Sequence, residues 1–330
     1  MTTQPNRRLF NVPLEPVSGS IFQPTGFPDI GTAVFDRPVR DDAGNTTFQS
    51  ALLVESAQSM ANRLEGMAWD DGTLAPVALF DGLPYVRIIR GDGGEYVTSS
   101  RTEAHRLASA FVKDADIDDT KGKAYIKDKL ALVNDLPIPA RRIAAAVFGL
   151  DPFCLLHGVF FADKEWPGQP KIARAVSASI EAHDVRRVDS GGVKKDHVRH
   201  SLGDSSGGTA EGYGTVPFHR TEWTAAEIVA TFNVDLGQIR SYGLGDAGYK
   251  LLEAIALWEI RTMLDGAIRL RTACDLQAID DEIVDRAGVP LPSADDLAAT
   301  ITSSIAAVSE LVGSGKALEA TWTPTKAAKS

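Results

Sequence analysis

Gly243-Leu244-Gly245-Asp246-Ala247-Gly248 has the G-x-G-x-x-G spacing of a dinucleotide-binding turn, and Asp265 follows about twenty residues later. Such glycines let backbone N–H groups approach a pyrophosphate. The plainer reading is a glycine turn in which Asp246 caps a helix. Asp114, Asp116, Asp118 and Asp119 approximate a calcium loop, but Asp119 stands where the loop needs glycine and Tyr125 where it needs a bidentate glutamate, so that frame is rejected. Cys154 and His157 could form half a metal site, yet no second pair has ligand spacing, and core packing is the simpler role. No G-x-S-x-G elbow marks a nucleophile.

The segment 190–220 is richer. It runs Ser190-Gly191-Gly192-Val193-Lys194-Lys195, then Arg199-His200, then Val216-Pro217-Phe218-His219-Arg220. Glycines permit close backbone approach, and lysine and arginine contact phosphates. Val193, Tyr213 and Phe218 could wedge between bases or pack on a partner. The competing reading is a mobile surface loop.

Elements must position these groups. Leu53, Ala57, Met60, Ala61, Leu64 and Met67 make a stripe that predicts a helix over 50–67, with Arg63 off the stripe. Residues 76–90 suggest two short strands around Asp81-Gly82. Ser100 and Glu103 have capping-box spacing and predict a helix that buries Ala104, Leu107, Ala108 and Phe111 and turns Arg101 and His105 to another face. A helix at 139–148 and a strand at 155–161 come next. Residues 172–182 alternate, with Ile172, Arg174, Val176, Ala178 and Ile180 on one face of a strand. A glycine-rich break spans about 189–217. Beyond it the pattern predicts a helix at 224–231, a strand at 232–242, a helix at 247–264, a strand at 267–274 with Arg269 and Arg271 on one face, a helix at 294–312 and a polar tail. Alternation of this irregular kind predicts an α+β sheet with helices on one face.

The 330 residues carry a formal net charge of −10 and only two cysteines, Cys154 and Cys274. Neither a disulfide scaffold nor a cysteine-based zinc site is expected, and no long apolar run or secretory leader is visible. A reduced, cytoplasmic setting is expected. An acidic chain argues against a broadly basic nucleic-acid coat. The charge is uneven, however: residues 171–200 hold seven basic and four acidic side chains, against four and eight over 276–330.

The segments LLVESAQSMANRLE, TSSRTEAHRL, SGGVKKDHVRH, GYGTVPFHRTEWTA and LRTACDL, with FQPTGFPDIGTAVF before them, together resemble the backbone subunit of the type I-G (formerly I-U) CRISPR Cascade complex, a RAMP-superfamily protein. The resemblance covers about residues 20–276. It implies a modified RRM or ferredoxin-like palm over 1–276, with long insertions forming a thumb at about 189–217 and other projections, and a C-terminal helical extension with a polar tail over 277–330. It implies copies that polymerise along CRISPR RNA, partner with other Cascade subunits and present the guide for pairing with target DNA. No catalysis, metal, cofactor or membrane is expected. Asp184, Asp189 and Asp196 lie near the thumb, but the type I resemblance argues against RNA cleavage there. The RNA-binding residues expected on this basis are Gln23, Thr25, Arg63, Arg101, His105, Arg174, Lys194, Lys195, Arg199, His219 and Arg220, with Val193 and Phe218 as the thumb wedge. The alternative is a nucleotide-dependent oxidoreductase built on Gly243–Gly248.

Overall fold

A computed structural model describes residues 5–27, 29–91, 93–134, 136–195 and 215–324. Its architecture is α+β and RRM-like. Four strands lie at its centre. In chain order they are Arg7–Pro16, Val176–His183, Glu227–Asp235 and Cys274–Ala278. In the sheet they run fourth, first, third, second, all antiparallel. The helix Ala57–Gly66 precedes the second of these strands and the helix Gly245–Asp265 precedes the fourth, which gives the β-α-β-β-α-β order of ferredoxin-like folds. The strand pair Val34–Arg40 and Thr46–Glu55 extends the sheet beyond the second strand, and Ile268–Arg271 extends it beyond the fourth.

Period-two burial explains why these segments are strands. Phe10, Val12 and Leu14, then Ala178 and Ile180, then Ala230, Phe232 and Val234 are buried, while the residues between them are half-buried or exposed. That inner face meets Met60 and Leu64 of the first helix and Leu251, Leu252 and Ile255 of the second in one continuous core. A second sheet forms beside it, where Ala317–Trp322 pairs in parallel with Tyr85–Arg90, and Tyr96–Ser99 lies along the other edge. The expected polar tail thus includes a strand, with Ala320 fully buried.

Several local expectations are corrected. Residues 50–55 are the end of a strand, because Ala51, Leu52 and Val54 are buried against Val176–His183; the helix begins only after Ser56, whose hydroxyl accepts from Ser59 N at 3.3 Å. Residues 78–80 form a single 3-10 turn instead of a strand. The Ser100–Glu103 capping box does not form: Ser100 Oγ donates to Asp151 at 2.6 Å, and Glu103 accepts from Thr98 Oγ1 at 2.8 Å. In place of the expected helix the chain makes a 3-10 turn at Arg106–Ala108 and a five-residue helix at Ala110–Asp114. Residues 153–157 are helical, and only Val159–Phe160 is extended. Residues 227–231, expected as helix, are the first part of the strand Glu227–Asp235. That strand stops at Asp235, whose carboxylate caps the helix Leu236–Ser241 through Gln238 N at 2.9 Å.

The glycine turn is corrected too, with a bearing on function. The segment Gly243–Gly248 comes after a helix, and the nearest sheet is antiparallel, so the strand–turn–helix geometry of a dinucleotide fingerprint is absent. Gly243 and Gly245 have φ of +70° and +71°, which accounts for two of the glycines by backbone conformation alone.

Candidate nucleic-acid interface

The glycine-rich break is flanked by structure. Arg186–Lys195 and Thr215–Thr224 pair over ten positions, a ribbon of about 30 Å at the usual rise per residue, inserted between the second and third core strands. Arg199 and Tyr213 lie outside the described residues, as do the side chains of Lys195 and Val216. The root of the ribbon is clamped: Phe22 N donates to Trp223 O at 2.8 Å and Trp223 N returns to Phe22 O at 2.9 Å.

Antiparallel partners share a face, and neighbours along a strand do not. Gly192 is opposite Phe218 and Ser190 opposite Arg220, so Phe218, Arg220 and Lys194 occupy one face. The Arg220 guanidinium sits 4.9 Å over the Phe218 ring. The ring lies against Gly192, where a Cβ would come within 2.8 Å of it. Val193, opposite Pro217, is on the other face with His219 and Asp189, whose side chains approach to 3.4 Å. Val193 and Phe218 are both exposed, at 61% and 43%, but they project from opposite sides and do not make one wedge.

Gln23, Thr25 and Arg63 converge at the ribbon's root. Thr25 N donates to Val54 O at 3.1 Å and Gln23 N to Ala273 O at 2.7 Å. Glu55, 3% exposed, is the centre of this cluster. Arg271 Nη2 donates to its Oε2 at 2.9 Å and Arg63 Nη2 lies 3.5 Å from the same oxygen. Arg271 also donates to Gln23 O, and Arg63 to the carbonyls of Arg269 and Leu270. Two half-exposed guanidiniums around one carboxylate leave a net positive charge at the surface. Burial, which outweighs the attraction of Arg271, pushes the neighbouring Cys274 thiol up to about 11, so it is not a nucleophile. Sequence reasoning missed Glu55 as the organiser of this site. Arg271 was visible on its alternating strand, but its convergence with Arg63 was not.

Arg101 is placed differently from expectation. Its side chain is 5% exposed and its Nε lies 2.6 Å from Asp151 Oδ1, off the N–H axis, so the contact is an ion pair rather than an aligned hydrogen bond. The guanidinium stacks 3.5 Å from the Phe153 ring centroid. Burial raises the Asp151 pKa, and Arg101 and the Ser100 hydroxyl restrain the rise. This charge is committed to the core. Nearby, Arg106 holds Glu65 through two contacts of 2.6 and 2.5 Å, and fully buried His157 meets both Glu259 oxygens at 3.0 Å. Burial opposes an imidazolium, but Glu259, with help from the Glu65 charge, more than offsets it and raises the His157 pKa.

His105 and Arg174 do come together, on a groove of about 610 Å³. His105 is exposed at its lip. Arg174 donates to Gln58 Oε1 at 2.5 Å and to Ala57 O at 3.4 Å, and no carboxylate among the described residues pairs with it. The groove's wall is a two-residue ribbon in which Phe160 opposes Lys171.

Residues 9–187, more than half of the chain, match the family described as CRISPR-associated protein GSU0053. No curated protein sequence matches. Among solved structures, a chain of a "CRISPR RNA-guided surveillance complex, pre-nicking" superposes with a TM-score of 0.37 at 16% identity, over 84% of this chain and 74% of that one, too loosely to transfer any residue's role. On the sequence match, this chain belongs to the CRISPR-associated GSU0053 family.

Proposed function

We propose that the chain is a non-catalytic guide-RNA-binding backbone subunit of a type I-G Cascade surveillance complex. Copies polymerise along the spacer of a cytoplasmic CRISPR RNA, contact the other Cascade subunits and leave the bases free to pair with target DNA. The observation that carries this reading is the ten-pair ribbon between the second and third core strands, with exposed Phe218 beside Arg220 and Lys194. An aromatic ring flanked by cations is suited to stack on a base while its neighbours hold phosphate. The ribbon springs from a root lined by Arg63, Arg271, Gln23 and Thr25, where guanidiniums and neutral donors can meet phosphates and 2′-hydroxyls. His105 and Arg174 offer further phosphate contacts, and Lys195, Arg199 and His219 lie on or beyond the ribbon. In this reading residues 1–276 form the palm and 277–330 an extension of it. Membership of a CRISPR-associated family supports the assignment.

Size-exclusion chromatography with and without a guide RNA tests it. At low salt the protein should co-elute with RNA in species of several protomers, and the complex should dissociate as salt rises. A chain that stays monomeric and unbound at low salt refutes the reading.

A further inference from the structure

The groove bearing His105 and Arg174 holds further basic side chains. Its lining also includes Lys171, Arg106, Gln58 and Phe160 and, among the described residues, no aspartate or glutamate. In a chain of net charge −10 that is unusual company. The neighbouring cavity beside Trp69, by contrast, is lined by Glu65, Asp71 and Glu103. Arg106 is neutralised by Glu65, but among the described residues Arg174 has only the amide oxygen of Gln58 and a carbonyl as acceptors. Burial and the nearby Arg106 lower the Arg174 pKa, and the more distant Glu65 offsets that only in part. Phe160 is 47% exposed, and the Lys171 ammonium lies 5.6 Å from its ring centroid.

We propose that this groove holds one nucleotide of a bound RNA strand, with its phosphate on Arg174, Lys171 and His105 and its base stacked on Phe160. The chemistry comes from the lining. Arg174 offers a planar donor fork to phosphate oxygens. Lys171 is a point charge on a flexible stem beside Phe160, and His105 adds a ring N–H from an exposed position. Phe160 presents a face that any base can cover, which makes the site tolerant of sequence. A volume of about 610 Å³ lies within the range of small-ligand sites, roughly 300–1,000 Å³. The base of the ribbon that carries Phe160 and Lys171 is closely packed: Gly158 has φ of +82°, and a Cβ there would meet the Ile172 carbonyl at 2.9 Å. The proposal rests on the RNA-binding reading above and adds to it a contact on the palm that is separate from the ribbon.

The test uses the full chain, a fluorescein-labelled single-stranded RNA of guide length, and fluorescence anisotropy across a salt series. Phe160→Ala and Lys171→Glu alter exposed side chains, and thermal melts verify that both variants fold as the parent does. Phe160→Ala is expected to weaken binding by roughly 5- to 100-fold, the range for loss of one base stack. Lys171→Glu is expected to weaken it at least tenfold at low salt and to lower the slope of log affinity against log salt by about one. Phe218→Ser on the ribbon serves as the comparator. Parental affinity in both groove variants, with loss in Phe218→Ser, overturns the groove site and leaves the RNA-coating reading intact. No binding by the parent protein at low salt overturns both. Equal weakening for single-stranded DNA of the same sequence, with tighter DNA than RNA binding by the parent, overturns the assignment to RNA.

Discussion

Arg101→Met should unfold this protein more readily without touching any nucleic-acid contact. Asp151 is fully buried, and its remaining partners in the variant would be the Ser100 hydroxyl at 2.6 Å and Phe153 N at 3.1 Å. Those two hydrogen bonds do not neutralise a carboxylate. Leaving a buried charge uncompensated costs about 3–5 kcal/mol, and the lost stacking on Phe153 adds to it. Against a typical total stability of about 5–15 kcal/mol, that is a large fraction. The pH dependence carries a sign. Burial already raises the Asp151 pKa, and removing Arg101 raises it further. A carboxyl that stays neutral in the folded state favours folding at low pH, so the variant's deficit should shrink as pH falls through the raised value, above the ordinary carboxylate range. Urea titration followed by circular dichroism at several pH values reads both effects. The double variant Arg101→Met with Asp151→Leu should recover most of the loss, because replacing a buried ion pair by apolar groups is often neutral; Ser100 then loses its acceptor at a cost of about 1 kcal/mol. An Arg101→Met protein of parental stability and reduced RNA affinity would refute the buried pairing and return this residue to the surface.

Further outcomes are expected. Glu55→Ala leaves two half-exposed arginines facing each other, and should cost about 1–3 kcal/mol by thermal or urea unfolding, less than the Arg101 change because solvent screens both guanidiniums. Gly192→Val places a side chain against the Phe218 ring; it should change stability by less than about 1 kcal/mol but weaken RNA binding, measured by anisotropy. The raised His157 pKa contributes stability that is complete below its unfolded value near 6.5 and is lost as pH rises through the folded value. Urea midpoints between pH 6 and 9 should therefore fall with rising pH, and Glu259→Gln should remove that component. Millimolar NAD or NADP should produce no thermal shift, since Gly243–Gly248 lacks the strand that a dinucleotide site needs.

Much of the fold could be read along the chain because it is written in local periodicity. Val176–His183 alternates, and the helices at 140–150, 245–265 and 294–307 lie close to where their stripes place them. Misreadings arose where two periods coexist. Ala51-Leu52-Leu53-Val54 is apolar at both strand and helix spacing, and only burial beside Val176–His183 makes it a strand. Residues 227–231 read as helix because glutamate and alanine favour one, yet sheet neighbours on both sides override the propensity. For the candidate site, the residue types of the ribbon were legible, as was its place in the chain, but its facing was not. Pairing register alone puts Phe218 with Arg220 and sends Val193 to the other side.

The sequence by itself determined the α+β class, the glycine-rich basic insertion and the family to which residues 9–187 belong, because composition, period and motif order are properties of neighbours along the chain. Which charges remain available was decided only in three dimensions. Arg101 and Arg174 are alike as letters, but one is paired with a carboxylate fifty residues away in the core, and the other faces a groove that no acid among the described residues lines. The free energy of a charge depends on its solvent and its partners, and both are assembled by folding.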